Sequence, residues 1–274
     1  MFFRIGYLGD AFHGSQIQPD VRTVQGELIR VFRSLKWLTG PKEDQLLVLS
    51  SRTDAGVHVR INGGIVDLDR ALWDALSPRK MIRAVDDRLD GNIAFLTVEE
   101  VEASFNPRMA LHRTYRYRLE AMEFWIEPDH EAFRRWLDLF VGTYDARNFA
   151  RLEEGKNPIR TVLETKPWMD GERLIGFEVT GEAFLWNQVR RMANALFRLA
   201  VGELQEQDIV QAIDQPLVPV DFGVAPPHWL VLWGVAWEHA PLPEQTHQTV
   251  FSPPPTGRTA ERTRKGRWQR AAQH

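Results

Sequence analysis

The chain has 274 residues, 43% hydrophobic and 26% charged, the make-up of a globular protein with room for one large domain or two medium ones. It contains no cysteine, which excludes disulfides, thiolate nucleophiles and cysteine-based zinc sites. The formal charge of −3 is unevenly spread: residues 241–274 hold six Arg/Lys against two Glu, so the rest is more acidic than the total. Net charge therefore does not announce a nucleic-acid partner, and any RNA contact must come from local patches.

In chain order, Phe2 to Leu8 reads as a strand, followed by a Gly-rich polar loop from Gly9 to Arg22. A helix capped by Thr23 follows, with Leu28, Val31, Phe32, Leu35 and Leu38 as its apolar stripe. The apolar run from Leu46 to Ser51 predicts a central, covered strand. Ile65 to Leu68 predicts a further strand, Ala71 to Leu89 a helix interrupted near Pro78, and Asn92 to Ala103 a return to β-structure.

The second half starts near Phe105. Thr114 to Leu119 alternates strictly, with Tyr115, Tyr117 and Leu119 on one face. A helix is expected from Pro128 to Phe140, then a charged loop from Asp145 to Arg160, then two strands flanking the Asp170-Gly171 turn. The pattern continues with a helix from Phe184 to Val201 stopped by Gly202, a short helix near Gln207 to Ile213, and a strand from Leu230 to Trp237. These elements predict an α+β fold of two similar halves sharing a mainly antiparallel sheet flanked by helices. The expected boundaries are 1–104, 105–240, and a flexible basic tail over 241–274.

No apolar run approaches the roughly 20 residues of a membrane helix. Nor does the start of the chain have the build of a signal peptide, so a cytoplasmic location without a membrane partner is expected. The eight histidines form no i, i+4 pair, and neither Gly-x-x-x-x-Gly-Lys nor Gly-x-Gly-x-x-Gly occurs. No metal and no nucleotide cofactor are expected.

Arg52-Thr53-Asp54-Ala55-Gly56-Val57-His58 carries the chemistry. It presents one carboxylate, Asp54, on a turn after an apolar run, where a loop side chain is both exposed and well placed. Taken alone, such an Asp near a Gly is most often a turn residue, its side chain bonding to nearby backbone. Four further segments accompany it. They are Gly6 to Gln16 with Thr23 to Gly26; Phe105 to Arg108 running to Arg113-Thr114-Tyr115-Arg116-Tyr117; Gly181 to Leu185 with Val189 to Met192; and Ala225 to Leu230. Together, in this order over residues 1 to 240, they resemble the A-type tRNA pseudouridine synthases, which modify the anticodon arm.

That resemblance implies a pseudouridine synthase fold with its catalytic cleft between the halves. It also implies a cofactor-free isomerase acting on uridines 38–40 of tRNA, and a homodimer reaching across one tRNA. The family assigns the essential carboxylate to Asp54, as nucleophile or as proton carrier at the ribose, and those alternatives stay open. It assigns the aromatic partner of the base to Tyr115, the counter-charge to Arg190, and the pocket wall to Leu230. Arg52 is the candidate to fill the place of the flipped base, because a planar cation pairs with phosphate and stacks on bases. Phe105, Arg108 and Arg113 are expected along the RNA path.

Three departures stand out: Tyr7-Leu8-Gly9-Asp10 where many members have Tyr-Asp-Gly-Thr, Trp186-Asn187-Gln188 before Arg190 where a His-Met-type sequence is common in bacterial members, and Trp229 where a small glycine is usual. Two other classes compete with this reading. A non-catalytic RNA binder of the same fold is opposed by the intact trio Asp54, Tyr115 and Arg190. An Asp-nucleophile hydrolase would need a second carboxylate beside Asp54; Asp67 and Asp69 sit instead before a predicted helix.

Overall fold

The computed structural model describes residues 1–40 and 47–238, so the expected tail lies outside the described residues, as does Leu46. The strands and helices are β1 (Phe2–Tyr7), α1 (Val24–Ser34), β2 (Val48–Leu49), β3 (His58–Ile65), α2 (Arg70–Ala75), α3 (Pro78–Asp86), β4 (Ile93–Glu99), β5 (His112–Tyr117), α4 (His130–Asp138), β6 (Gly142–Asp145), β7 (Ile159–Asp170), β8 (Arg173–Gly181), α5 (Gln188–Ala200), α6 (Glu206–Asp214) and β9 (Leu230–Ala236). The architecture is mixed α+β with antiparallel strand pairing and flanking helices. The described residues divide into two compact units, one made of the stretches before His112 and after Val231, the other of His112–Val231. The last strand therefore returns mostly to the first unit, where a split after residue 104 would leave it in the second.

In the first unit the strand order is β4-β1-β3-β9. β1 is antiparallel to both neighbours, with Phe3 opposite Gly64 on β3 and opposite Val98 on β4. All six β1 residues are buried, as a strand covered on both faces requires. The Thr23 hydroxyl accepts the Gly26 N–H and starts α1, a cap of about 1 kcal/mol. Leu28, Val31 and Phe32 of α1 are buried, with Phe32 edge-on to Phe3. The helix ends at Ser34, so the expected stripe stops short of Leu38, and buried Trp37 stacks on Phe32 instead.

Two strand expectations need correction. The Leu46–Ser51 run gives only the two-residue β2, which pairs with β3 and lies off the main strand order. The strand placed at Ile65–Leu68 lies earlier, at His58–Ile65, and Val66 is already past it. Its Gly63 and Gly64 are poor strand formers, but a Cβ on either would run into the rings of Phe2 and Trp237, or of Phe3.

In the second unit the strand order is β5-β8-β7-β6, antiparallel throughout, with Tyr115 on β5 opposite Val179 on β8. β7 and β8 form the expected hairpin around Gly171, whose φ of 61° lies in the left-handed region a tight turn needs. β6 ends at Asp145, where the stretch read from sequence as a charged loop begins, and β7 takes up its last two residues from Ile159. Met192, Leu196 and Leu199 of α5 are buried, and Phe149 stacks face to face on Phe222 with ring centroids 4.7 Å apart. α5 begins at Gln188 because Asn187 adopts φ 64°, outside helical space, and so ends any helix drawn from Phe184.

Candidate active site

The Asp54 turn belongs to the first unit. The Val57 N–H donates to the Asp54 carbonyl at 3.2 Å, and Gly56 takes φ 82°, the left-handed position that closes such a turn. The residue before the acid is tied to the opening loop three times. The Thr53 N–H donates to Ser15 Oγ at 2.9 Å, the Ser15 N–H donates to the Thr53 carbonyl at 3.1 Å, and the Thr53 and Tyr7 hydroxyls share a bond of 2.7 Å. Asp54 itself is half-buried, between buried Ser51 and exposed Ala55. Its carboxylate is thus presented by a backbone with little freedom to move.

The far side of the turn is fixed by close approach. A Cβ on Gly9 would stand 2.3 Å from the Val57 carbonyl oxygen, so only glycine lets the two loops meet. The Gly9 N–H donates to Nδ1 of His58 at 3.1 Å, leaving Nε2 to carry the proton of the neutral ring. That nitrogen lies 3.0 Å from Asp10 Oδ1. His58 is fully buried. In the opening loop, where the usual acid is replaced by Leu8, the carboxylate that meets the heptad is therefore that of Asp10.

Tyr115 and Arg190 belong to the second unit. Tyr115 is buried to 8% exposure, with its ring edge-on to Phe184 at 5.4 Å. Arg113, two positions earlier on β5, donates to the Glu182 carbonyl at 2.5 Å, and burial pushes its pKa down. Arg190, on the first turn of α5, donates through Nε to the Ala225 carbonyl at 2.8 Å and through Nη1 to Asn187 Oδ1 at 2.9 Å. The Ala225 N–H returns to the Arg190 carbonyl at 3.1 Å. Tyr117 packs against Phe177, fully buried, and donates its hydroxyl to the Pro226 carbonyl at 3.0 Å. Burial drives the Tyr117 hydroxyl far above its ordinary pKa, with Arg190 opposing that shift. Leu230, 5% exposed, opens β9 directly after a single 3-10 turn over Pro227–Trp229.

Within the second unit, then, the segments carrying Tyr115, Arg113, Arg190 and Leu230 converge on the Gly181–Gln188 and Ala225–Leu230 stretches. In the first unit Arg52 is exposed and Arg108 is exposed at a bend. Phe105 is half-buried and packs edge-on against Phe2 at 5.1 Å, so its ring serves the interior there. Asp69, of the Asp67–Asp69 pair, accepts the Ala71 N–H as the cap of α2. Among the described residues no three His, Cys, Asp or Glu gather in a metal-holding group, and no helix is long and apolar enough to cross a membrane.

Sequence reasoning missed Ser15, Tyr7, Phe184 and Asn187. Asn187 carried a signal, since Asn is enriched among non-glycine residues in left-handed conformation. Ser15 carried only its place in the Gly6–Gln16 segment.

A family model described as tRNA pseudouridine synthase matches residues 137–238. The protein of Methanoculleus marisnigri named tRNA pseudouridine synthase A is 36% identical over 244 residues, covering 88% of this chain and 84% of that protein. Its namesake in Thermococcus kodakarensis is 35% identical over 240 residues, covering 85% and 83%. That of Methanosarcina barkeri is 34% identical over 230 residues, covering 84% and 81%. The chain belongs to the tRNA pseudouridine synthase A family.

Proposed function

We propose that this isomerase converts uridine to pseudouridine at positions 38–40 of the tRNA anticodon arm, with Asp54 as its essential carboxylate. Family membership makes the chain a tRNA pseudouridine synthase; the choice of uridines and the role of Asp54 are the proposal. The observation that carries it is the Asp54 turn, clamped through Thr53 to Ser15 and Tyr7 and closed by Gly56.

The isomerisation breaks the N1–C1′ bond and forms C5–C1′. C5 gives up its proton and N1 takes one, so no electrons are exchanged with an outside partner. Asp54 acts at the ribose, either by bonding to it or by moving a proton there, after the uridine has left its stack. Tyr115 faces the base, and its edge contact with Phe184 supports that role by fixing the ring. Arg190 supplies the counter-charge, already held by Asn187 and Ala225 before substrate arrives. Leu230 walls the base. Arg52 fills the vacated stack, and Arg108 and Arg113 meet the RNA backbone. The reading includes a cytoplasmic homodimer on one tRNA, to be checked by sedimentation with and without tRNA.

The test uses tRNA transcripts bearing 5-tritiated uridine at position 38, 39 or 40 alone. Each should release tritium with enzyme, and uridines elsewhere should not. Release only from uridines outside the anticodon arm would sink the positional part.

A further inference from the structure

We infer that Trp186, braced by Arg151, is a stacking platform for an unpaired nucleobase of the tRNA, close to the uridine being modified. This rests on the proposed function, since it places the platform beside Tyr115 and Arg190. Trp186 is 42% exposed, an unusual degree of exposure for an indole in a chain whose other large aromatics mostly fill the interior.

The ring is nonetheless held in place. The Arg151 N–H donates to the Trp186 carbonyl at 2.8 Å in an isolated antiparallel bridge, and the Arg151 guanidinium lies 4.2 Å from the ring centroid. An indole fixed by its backbone and covered on one face by a cation loses little freedom when a base settles on it. Such base–aromatic stacking is how proteins grip unstacked RNA without reading its sequence.

Its position joins it to the rest of the site. Two residues before it, Phe184 touches the Tyr115 ring; one residue after it, Asn187 holds Arg190. At about 3.8 Å per residue, Trp186 is within roughly 8 Å of the first and 15 Å of Arg190 along the chain. That is the span of one or two nucleotides.

Charge selects a base over a phosphate as the occupant. Arg151 and Lys156 are offset by Glu153 and Glu154 in the same short stretch, which also holds the exposed Leu152. A phosphate would gain little there, whereas a nucleobase face tolerates the mixture.

The experiment measures tRNA binding by fluorescence anisotropy, together with single-turnover tritium release, for wild type, Trp186→Ala, Trp186→Phe and Arg151→Ala. Trp186→Ala should weaken binding by about 10-fold or more, Trp186→Phe by no more than about 3-fold, and Arg151→Ala by an intermediate factor. The loss should fall on Kd and KM and not on the rate at saturating tRNA, with the melting temperature unchanged. Wild-type Kd in Trp186→Ala overturns the platform, and so does a loss that Phe fails to restore. A change in oligomeric state with unaltered tRNA affinity would assign the ring to a contact between copies and equally overturn it. Absence of tritium release from wild type would instead strike the proposed function, so the two failures are separable.

Discussion

Asp54 and Arg190 are placed by different means, one through the backbone around it and the other through its own side chain. At Asp54 the holding atoms belong to neighbours: the Thr53 amide and carbonyl, the Gly56 dihedral, and the backbone of Gly9 pressed against Val57. At Arg190 the guanidinium itself reaches a carbonyl and an amide oxygen, from a helix whose apolar face is buried. A carboxylate on a short stem follows its backbone closely. A long guanidinium must be tied at its tip or lose orientation to rotamer freedom. The first region should therefore be sensitive to changes in backbone space, and the second to loss of hydrogen-bond acceptors.

Gly9→Ala should have the largest effect of the variants that leave the charged groups intact. Its methyl would displace the Val57 carbonyl, and a displacement near 1 Å at Asp54 should lower the single-turnover rate about 100-fold. The overpacking should also cost about 1–3 kcal/mol, read from denaturant titration. A wild-type rate in this variant would show that the turn is not fixed by the approach of the opening loop.

Asn187→Gly comes next. It keeps the left-handed backbone and removes the acceptor from Arg190, so the rate should drop about 10-fold with a stability change under about 1 kcal/mol. Asn187→Ala should lose the same rate and an additional ~1 kcal/mol of stability, because alanine is strained there. If the glycine variant keeps full rate, Asn187 acts on the backbone alone and the contrast between the two regions weakens.

Ser15→Ala removes one acceptor from the Thr53 amide, and the expected loss is about 1 kcal/mol in stability with a few-fold lower rate. Arg52→Ala should be the mildest. It should leave the melting temperature unchanged and raise KM for tRNA several-fold, with a shallower dependence of binding on salt. A fall in the saturating rate without a change in KM would give Arg52 a role at the reacting atoms.

Much of the fold was legible because periodicity and caps agree with it. Thr23 starts α1, Gly202 follows the end of α5, and Asp170-Gly171 turns the β7–β8 hairpin. The strand at His58–Ile65 was not, since Gly63 and Gly64 answer to the rings of Phe2, Trp237 and Phe3, and Asn62 to the Ser51 backbone, and not to local propensity. The start of α5 was misplaced because a left-handed Asn leaves only a faint mark in the apolar pattern.

At the site, Asp54 and its glycine turn could be read from one heptad. Burial of Tyr117 was legible from strand alternation, and its hydroxyl bond to Pro226 was not. The bonds from Arg190 to Ala225, from Thr53 to Ser15 and from His58 to Gly9 join segments far apart in the chain, and a single sequence carries no signal of such pairs. Phe105, expected on the RNA path, is half-buried with its ring edge-on to Phe2, a contact that strand patterning near residue 105 does not reveal.

The central claim is that Asp54 performs the isomerisation at uridines 38–40. Its most direct test maps pseudouridine through a complete tRNA after incubation with wild type or Asp54→Asn, with tRNA affinity measured alongside. Wild type should place pseudouridine within positions 38–40, and the Asn variant should bind tRNA within a few-fold of wild type while forming product about 1,000-fold more slowly or not at all. Product at those positions from Asp54→Asn at the wild-type rate would contradict the account.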